Sequence, residues 1–248
     1  MIRTEPDLVP GKGDEGIRSA STVVLCRDVD GPDGSFEVFM TQRRRNLPFL
    51  GGFYVFPGGE MDEEDYHSES LDRCIGITTE EAHKIISDDD PQKSLGHYIA
   101  AIRELYEETG VLLAYDAFVN YPDLKDTMVK EKFDGHRKMI NDAKMTMKDM
   151  MEEEELYYAT DNLTYFYHKL APKIAPVRFH ARFFFVKIPE GQTPTPYEHE
   201  IEDCEWLTPK QTLSKLRERE IIMAPPTITS LRILTKCEKL EDLLEERK

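Results

Sequence analysis

Glu104, Glu107 and Glu108 are the residues of this 248-residue chain best suited to chemistry. Side chains three and four positions apart meet on one face of a helix, so their spacing gathers three carboxylates. Like charges so placed mildly destabilise a helix, and a cation between them reverses the sign. A hard divalent ion, which prefers oxygen ligands, is the natural occupant, and Mg²⁺ or Mn²⁺ is expected. Such a site points to phosphate chemistry. Arg103, directly before the first glutamate, can pair with a carboxylate and fix its rotamer. Upstream, Gly58 and Gly59 follow Phe56-Pro57 and form a loop where backbone can approach closely or adopt positive φ. Arg43, Arg44 and Arg45 offer cations to phosphate oxygens, although a solvated basic turn explains any single one of them equally well. Taken alone, E-x-x-E-E reads as a solvated acidic face in so acidic a chain.

The elements that must position these groups are legible in the surrounding pattern. Asp90-Pro91 has the form of an N-cap followed by proline at the first helical position. Leu95, Tyr98, Ile99, Ile102, Leu105 and Tyr106 recur at helical spacing, and Gly110 fits a C-terminal stop. At about 100° per residue the three glutamates fall opposite that apolar stripe, so they are expected to face solvent and a bound ion. Ser21–Cys26 and Phe36–Met40 read as strands joined by the turn signal Asp30-Gly31-Pro32-Asp33-Gly34. A short helix is expected near Thr79–Ser87, amphipathic helices over 124–170, strands over Val177–Val186 and Ile201–Leu207, and a mainly helical tail from Pro209, interrupted at Pro225-Pro226. Residues 1–17 read as a flexible leader, and 18–248 as one domain.

Composition narrows the partners. With 32 Lys and Arg against 48 Asp and Glu, the net charge of −16 argues against a nucleic-acid duplex or an anionic membrane surface. Cys26, Cys74, Cys204 and Cys237 show no metal-knuckle or redox spacing and read as reduced thiols. There is no apolar run of membrane-spanning length, no signal-peptide core and no C-terminal peroxisomal tripeptide, so a cytoplasmic protein is expected. His180 and His199, each a lone histidine near a strand, read as structural.

Gly59-x5-Asp65 and, further on, Arg103-Glu104-Leu105-x-Glu107-Glu108-x-Gly110-Val111 resemble the Nudix box, G-x5-E-x7-R-E-U-x-E-E-x-G-U, where U is aliphatic. Its second half matches at every fixed position. Asp65 stands where the family has glutamate, and 37 residues (66 to 102) separate it from Arg103 in place of seven, so 30 are inserted. Both departures resemble the branch holding peroxisomal coenzyme A diphosphatases and bacterial relatives, and the likeness runs over most of 18–235. An upstream signature of those enzymes is met in part by Thr41-Gln42-Arg43 and by Gly52 through Gly59, whereas Arg44 and Pro48 depart from it.

The resemblance implies an α+β fold, an α/β/α sandwich around a mixed sheet, with a loop–helix–loop box and helical insertions at about 66–94 and 120–170. It implies metal-dependent hydrolysis of the phosphoanhydride in a nucleoside diphosphate linked to another moiety, such as coenzyme A or acyl-CoA. Alternatives are an ADP-ribose- or NADH-type pyrophosphatase and a non-catalytic nucleotide sensor. By the same resemblance Glu104, Glu107 and Glu108 hold metal, Arg103 orients them, and Glu107 or Glu200 is the base. Arg43, Arg44, Gly58 and Gly59 meet the substrate. The insertions are expected near the mouth of the cleft, and a homodimer is an expected assembly.

Overall fold

The computed structural model describes residues 16–31, 34–175, 177–237, 239, 240 and 242. At its centre lies β1 (Ile17–Gly31), whose side chains alternate between two cores. Val23 and Leu25 enter one apolar cluster, and Val24 and Cys26 enter the other. This period-two partition is what a strand covered on both faces requires. β2 (Gly34–Arg43) pairs antiparallel with β1 as the expected hairpin, although the turn residues Pro32 and Asp33 lie outside the described residues. The short strands β3 (Tyr54–Val55) and β4 (Gly58–Glu60) add to β2 and β1.

The box region continues with α1 (Ser68–Leu71), β5 (Cys74–Ile75), α2 (Thr79–Ile86) and the long α3 (Pro91–Thr109). β6 (Ala114–Tyr115), α4 (Thr127–Asn141), α5 (Met147–Glu153), β7 (Tyr157–Ala159) and β8 (Thr164–Leu170) follow. The chain then forms β9 (Arg178–Lys187), β10 (Ile201–Leu207), α6 (Pro209–Arg217) and α7 (Pro225–Leu234). The main sheet has the order β10-β2-β1-β9-β8, with β1 and β9 parallel and the other pairs antiparallel. The cluster containing Val23 and Leu25 packs under α2, α3, α4 and α5, and the other under α7. This is the expected α/β/α sandwich around a mixed sheet.

α3 begins and ends where its sequence signals placed it. The Asp90 carboxylate accepts from the Gln92 N–H at 2.9 Å, Pro91 occupies the first turn, and Gly110 adopts φ 72° as its N–H reaches the Tyr106 carbonyl. Its environment differs from expectation. α3 is enclosed on nearly every side, and Glu108 is only 6% exposed. Burial of one helix face assumed solvent on the other, but β4 and the segment before β10 cover it.

Two further expectations are corrected. Residues 124–170 are not helical throughout, because β7 and β8 occupy their C-terminal part. Thr164-Tyr165-Phe166-Tyr167 is rich in β-forming aromatics, and pairing with β9 settles its state. The tail is interrupted, but over 218–224, and Pro225-Pro226 itself opens α7, where proline is tolerated in the first turn. The expected leader lies outside the described residues except Gly16 and Ile17, and Ile17 already pairs with Arg178. A small sheet, β5-β7-β6, joins the two insertions through Cys74 opposite Tyr158 and Ile75 opposite Ala159. Among the described residues no helix is long and apolar enough to cross a membrane.

Candidate active site

Arg103 is the hub of the site. Its Nε and Nη2 donate to the two Asp65 carboxylate oxygens at 3.0 and 2.9 Å, a two-pronged pairing that spans the whole insertion. Nη2 also donates to the Glu60 carbonyl at 2.8 Å. Nη1 donates to Glu104 Oε1 at 2.8 Å and to Glu107 Oε1 at 3.3 Å. The interrupted box is thus closed in space. Asp65, 2% exposed, sits in the turn just before the insertion, and its Oδ2 also accepts the Asp62 N–H at 2.8 Å.

The glycine pair meets the helix here. A Cβ on Gly59 would lie 2.6 Å from the Glu104 carboxylate, and one on Gly58, at φ +152°, would lie 2.4 Å from the Ser21 carbonyl. Only glycine permits this approach. The Glu108 carboxylate accepts the Gly58 N–H, and Arg43 Nη1 lies 3.8 Å from both Glu108 Oε1 and Glu200 Oε2. Glu200 is thereby drawn to the site. Its neighbour Glu202 lies near Arg45 instead.

The electrostatics are those of a site short of positive charge. Burial raises Glu104 to about 7, against the pull of Arg103 and helped by Glu107. Burial also raises Glu107, and it pushes Glu108 well above the ordinary carboxylate range, reinforced by the charge of Glu104. Burial opposes the charge of Arg103, yet the surrounding carboxylates outweigh it and raise its pKa. One guanidinium shared among Asp65, Glu104 and Glu107 leaves charge to be neutralised, and oxygen-rich pockets of this kind suit hard divalent cations.

The three glutamates do not converge on one point. Glu104 and Glu107 share Arg103, whereas Glu108 turns to Arg43 and Gly58. Among the described residues, three ligand atoms all within 4.8 Å of one another occur at His136, Glu153 and Glu154. There Lys132 already pairs with Glu154. Arg44 is exposed and joins the site through its backbone, whose N–H donates to the Glu200 carbonyl at 2.8 Å. His180 is buried against the His168 ring, and His199 lies against Tyr197 with the Asp142 carboxylate as an electrostatic neighbour.

Sequence reasoning missed the residues that close the far end of α3. Arg137 Nε and Asn141 Nδ2, both on α4, donate to the Glu107 carbonyl at 3.0 and 3.2 Å. The N–H groups of Tyr197 and Thr195 reach the carbonyls of Glu108 and Thr109. These contacts satisfy carbonyls that a helix end leaves without partners. They join segments distant in sequence, so no local signal announces them. The second insertion does reach the site. A cleft of about 640 Å³ beside Glu107 and Asp65 is walled by Ile140 and the segment from Ala143 to Asp149. From the first insertion Ser70 lines it, whereas α2 packs lower down, against α3 and the main core.

A family model described as the NUDT19 Nudix domain matches residues 76–234. A Caenorhabditis elegans protein named as a nudix hydrolase, number 7, is 24% identical over 239 residues, which cover 92% of this chain and 66% of that protein. The Xenopus laevis acyl-coenzyme A diphosphatase NUDT19 is 23% identical over 225 residues, 79% of this chain and 59% of the relative. The chain therefore spans somewhat less than two thirds of the length of these relatives. The crystal structure of a NUDIX hydrolase from Alicyclobacillus acidocaldarius has a TM-score of 0.70 at 24% identity, covering 92% of this chain and 96% of the other, which is a likeness of fold.

Proposed function

The chain belongs to the Nudix family through its NUDT19-type domain, and on that premise we propose that it is a metal-dependent diphosphatase. It cleaves the phosphoanhydride of a nucleoside diphosphate linked to another moiety. The observation that carries the proposal is the packing of Glu104 and Glu108 against Gly58-Gly59, with Arg103 tied to Asp65 beside them. Glu104, Glu107 and Glu108 would hold Mg²⁺ or Mn²⁺. Such ions supply Lewis acidity, offsetting charge on the phosphate oxygens and lowering the pKa of a bound water. Arg103 fixes the carboxylate rotamers. Arg43, half-buried between Glu108 and Glu200, is placed to meet a phosphate oxygen. Gly58 and Gly59 leave room for the chain to lie close to the diphosphate. Glu200 or Glu107 accepts the proton of the attacking water as its oxygen bonds to phosphorus and the bridging P–O bond breaks, giving two phosphate monoesters.

We propose coenzyme A or an acyl-CoA as the substrate, supported by likeness to the Xenopus acyl-coenzyme A diphosphatase and by the partial upstream signature around Arg43. A cytoplasmic location and a homodimer belong to the same proposal, to be checked by fractionation and light scattering. The deciding experiment is a panel of coenzyme A, ADP-ribose and NADH with Mg²⁺ or Mn²⁺, products resolved by mass. Release of 3′,5′-ADP from coenzyme A is the expected outcome. AMP from ADP-ribose alone would move the substrate elsewhere. Stabilisation by a nucleotide that is never consumed would make the protein a sensor.

A further inference from the structure

The cleft beside Glu107 carries a buried hydroxyl group that the protein leaves without a partner, and a second hydroxyl-bearing side chain next to the hub of the site. Ser70, 1% exposed, lines it, and its Oγ is buried with no hydrogen-bond partner. Tyr158, also 1% exposed, lines it too. Asp65 and Arg103 are electrostatic neighbours of its phenol, which places it next to the hub of the active site. Buried hydroxyls are ordinarily paired, because an unpaired one forfeits about 1–3 kcal/mol of solvation. The buried Ser70 hydroxyl, lining an open cleft, points to a ligand that supplies its partner, with the Tyr158 phenol beside it on the same lining.

The rest of the lining defines that ligand. Ile140, Met145 and Met147 form an apolar wall. Charges of both signs stand around it: Lys144 pairs with Asp142 at 2.8 Å, Lys148 with Glu69 at 2.9 Å, and Asp149 caps the first turn of α5. With Asp62, Glu63, Glu64, Asp65 and Glu107 also on the lining and only Arg103 added to the two lysines, acids outnumber bases, so the cleft disfavours an anionic group. Its volume of about 640 Å³ suits a small-molecule moiety. We propose that this cleft seats an uncharged, hydrogen-bonding part of the group attached to the diphosphate, with Ser70 and Tyr158 as its contact hydroxyls. The inference rests on the diphosphatase function proposed above and adds which residues select the substrate. Hydroxylated sugars and amide-bearing arms share the required chemistry.

The test uses Ser70→Ala, Tyr158→Phe and the double variant, each of which removes a hydroxyl and keeps the packing. Ser70→Ala also reports folding: an unpaired hydroxyl is dispensable, so its melting temperature stays or rises. The readout is the ratio of kcat/KM for coenzyme A (amide arm) or ADP-ribose (sugar) to that for ADP, which ends at the β-phosphate. We expect the double variant to lower this ratio about tenfold, through KM, for whichever substrate uses the cleft. A fall with coenzyme A alone assigns an amide arm, and one with ADP-ribose alone a sugar. Unchanged ratios for both, with turnover intact, overturn the cleft assignment and leave the diphosphatase standing. If nothing is hydrolysed, thermal shifts with Mn²⁺ and the same compounds decide. Stabilisation of the wild type that the double variant loses keeps the cleft and removes the enzyme. No stabilisation of the wild type overturns both.

Discussion

Replacing Glu104 by glutamine should make the metal-free protein more stable at alkaline pH. Glu104 titrates at about 7 in the folded protein against an ordinary value of 4.5, and its side chain is 13% exposed. The folded state therefore binds more protons than the unfolded state between those two values. Stability falls as pH rises through this window, and the penalty is complete above it. At about 1.4 kcal/mol per unit, ionising Glu104 without a cation costs about 3 kcal/mol. Glutamine removes the charge yet keeps the Oε1 acceptor that Arg103 Nη1 uses. In EDTA at pH 8 the variant should gain up to about 3 kcal/mol over wild type, or roughly 6–12 °C in a domain of this size. At pH 5 the two should nearly coincide. Saturating Mn²⁺ should reverse the order, since only wild type keeps the full ligand set; a roughly thousandfold excess over Kd contributes about 4.1 kcal/mol, more than the variant's advantage. Urea and thermal melts at both pH values, with EDTA and with Mn²⁺, measure all of this. A variant no more stable than wild type at pH 8 in EDTA would refute the claim that these carboxylates are held short of positive charge.

Three further outcomes are expected. Gly59→Ala places a methyl group 2.6 Å from the Glu104 carboxylate, so Mn²⁺ affinity by calorimetry should drop at least about tenfold, with turnover falling alongside. Arg103→Met leaves Asp65 buried without its partner and should destabilise the fold by about 3–5 kcal/mol in urea; a loss below about 1 kcal/mol would show that the pair does not hold the box together. Glu200→Gln should lower kcat about a hundredfold or more while Mn²⁺ still stabilises the protein. An unchanged kcat would shift proton acceptance to Glu107.

The parts of this molecule that were legible in sequence are those determined locally. Asp90-Pro91 and Gly110 bound α3 because capping involves only neighbouring backbone groups. The β-branched run in β1 and the alternation in β2 announced strands for the same reason. Residues 157–170 read as helix because their state depends on β9, which follows them in the chain, and on β5, which precedes them. Glu108 read as solvent-facing because a helical wheel shows which residues share a face, and not what covers it. The contacts of Arg137 and Asn141 with the Glu107 carbonyl belong to the same class. Asp65 could be matched to Arg103 across the insertion only through the resemblance to a known motif, since nothing in 66–102 signals that its ends meet.

The Asp65–Arg103 clasp has a consequence for how this chain can change. Lengthening a closed segment from 7 to 37 residues costs roughly 1.5 kcal/mol in closure entropy, because that cost grows only with the logarithm of length. A guanidinium gripping a carboxylate at 2.9 and 3.0 Å can absorb such a sum. Closure entropy therefore sets little limit on the length of the loops before α3, which can shorten or extend over generations, while the two residues at the mouth keep the catalytic groups in register like the hasp of a bracelet.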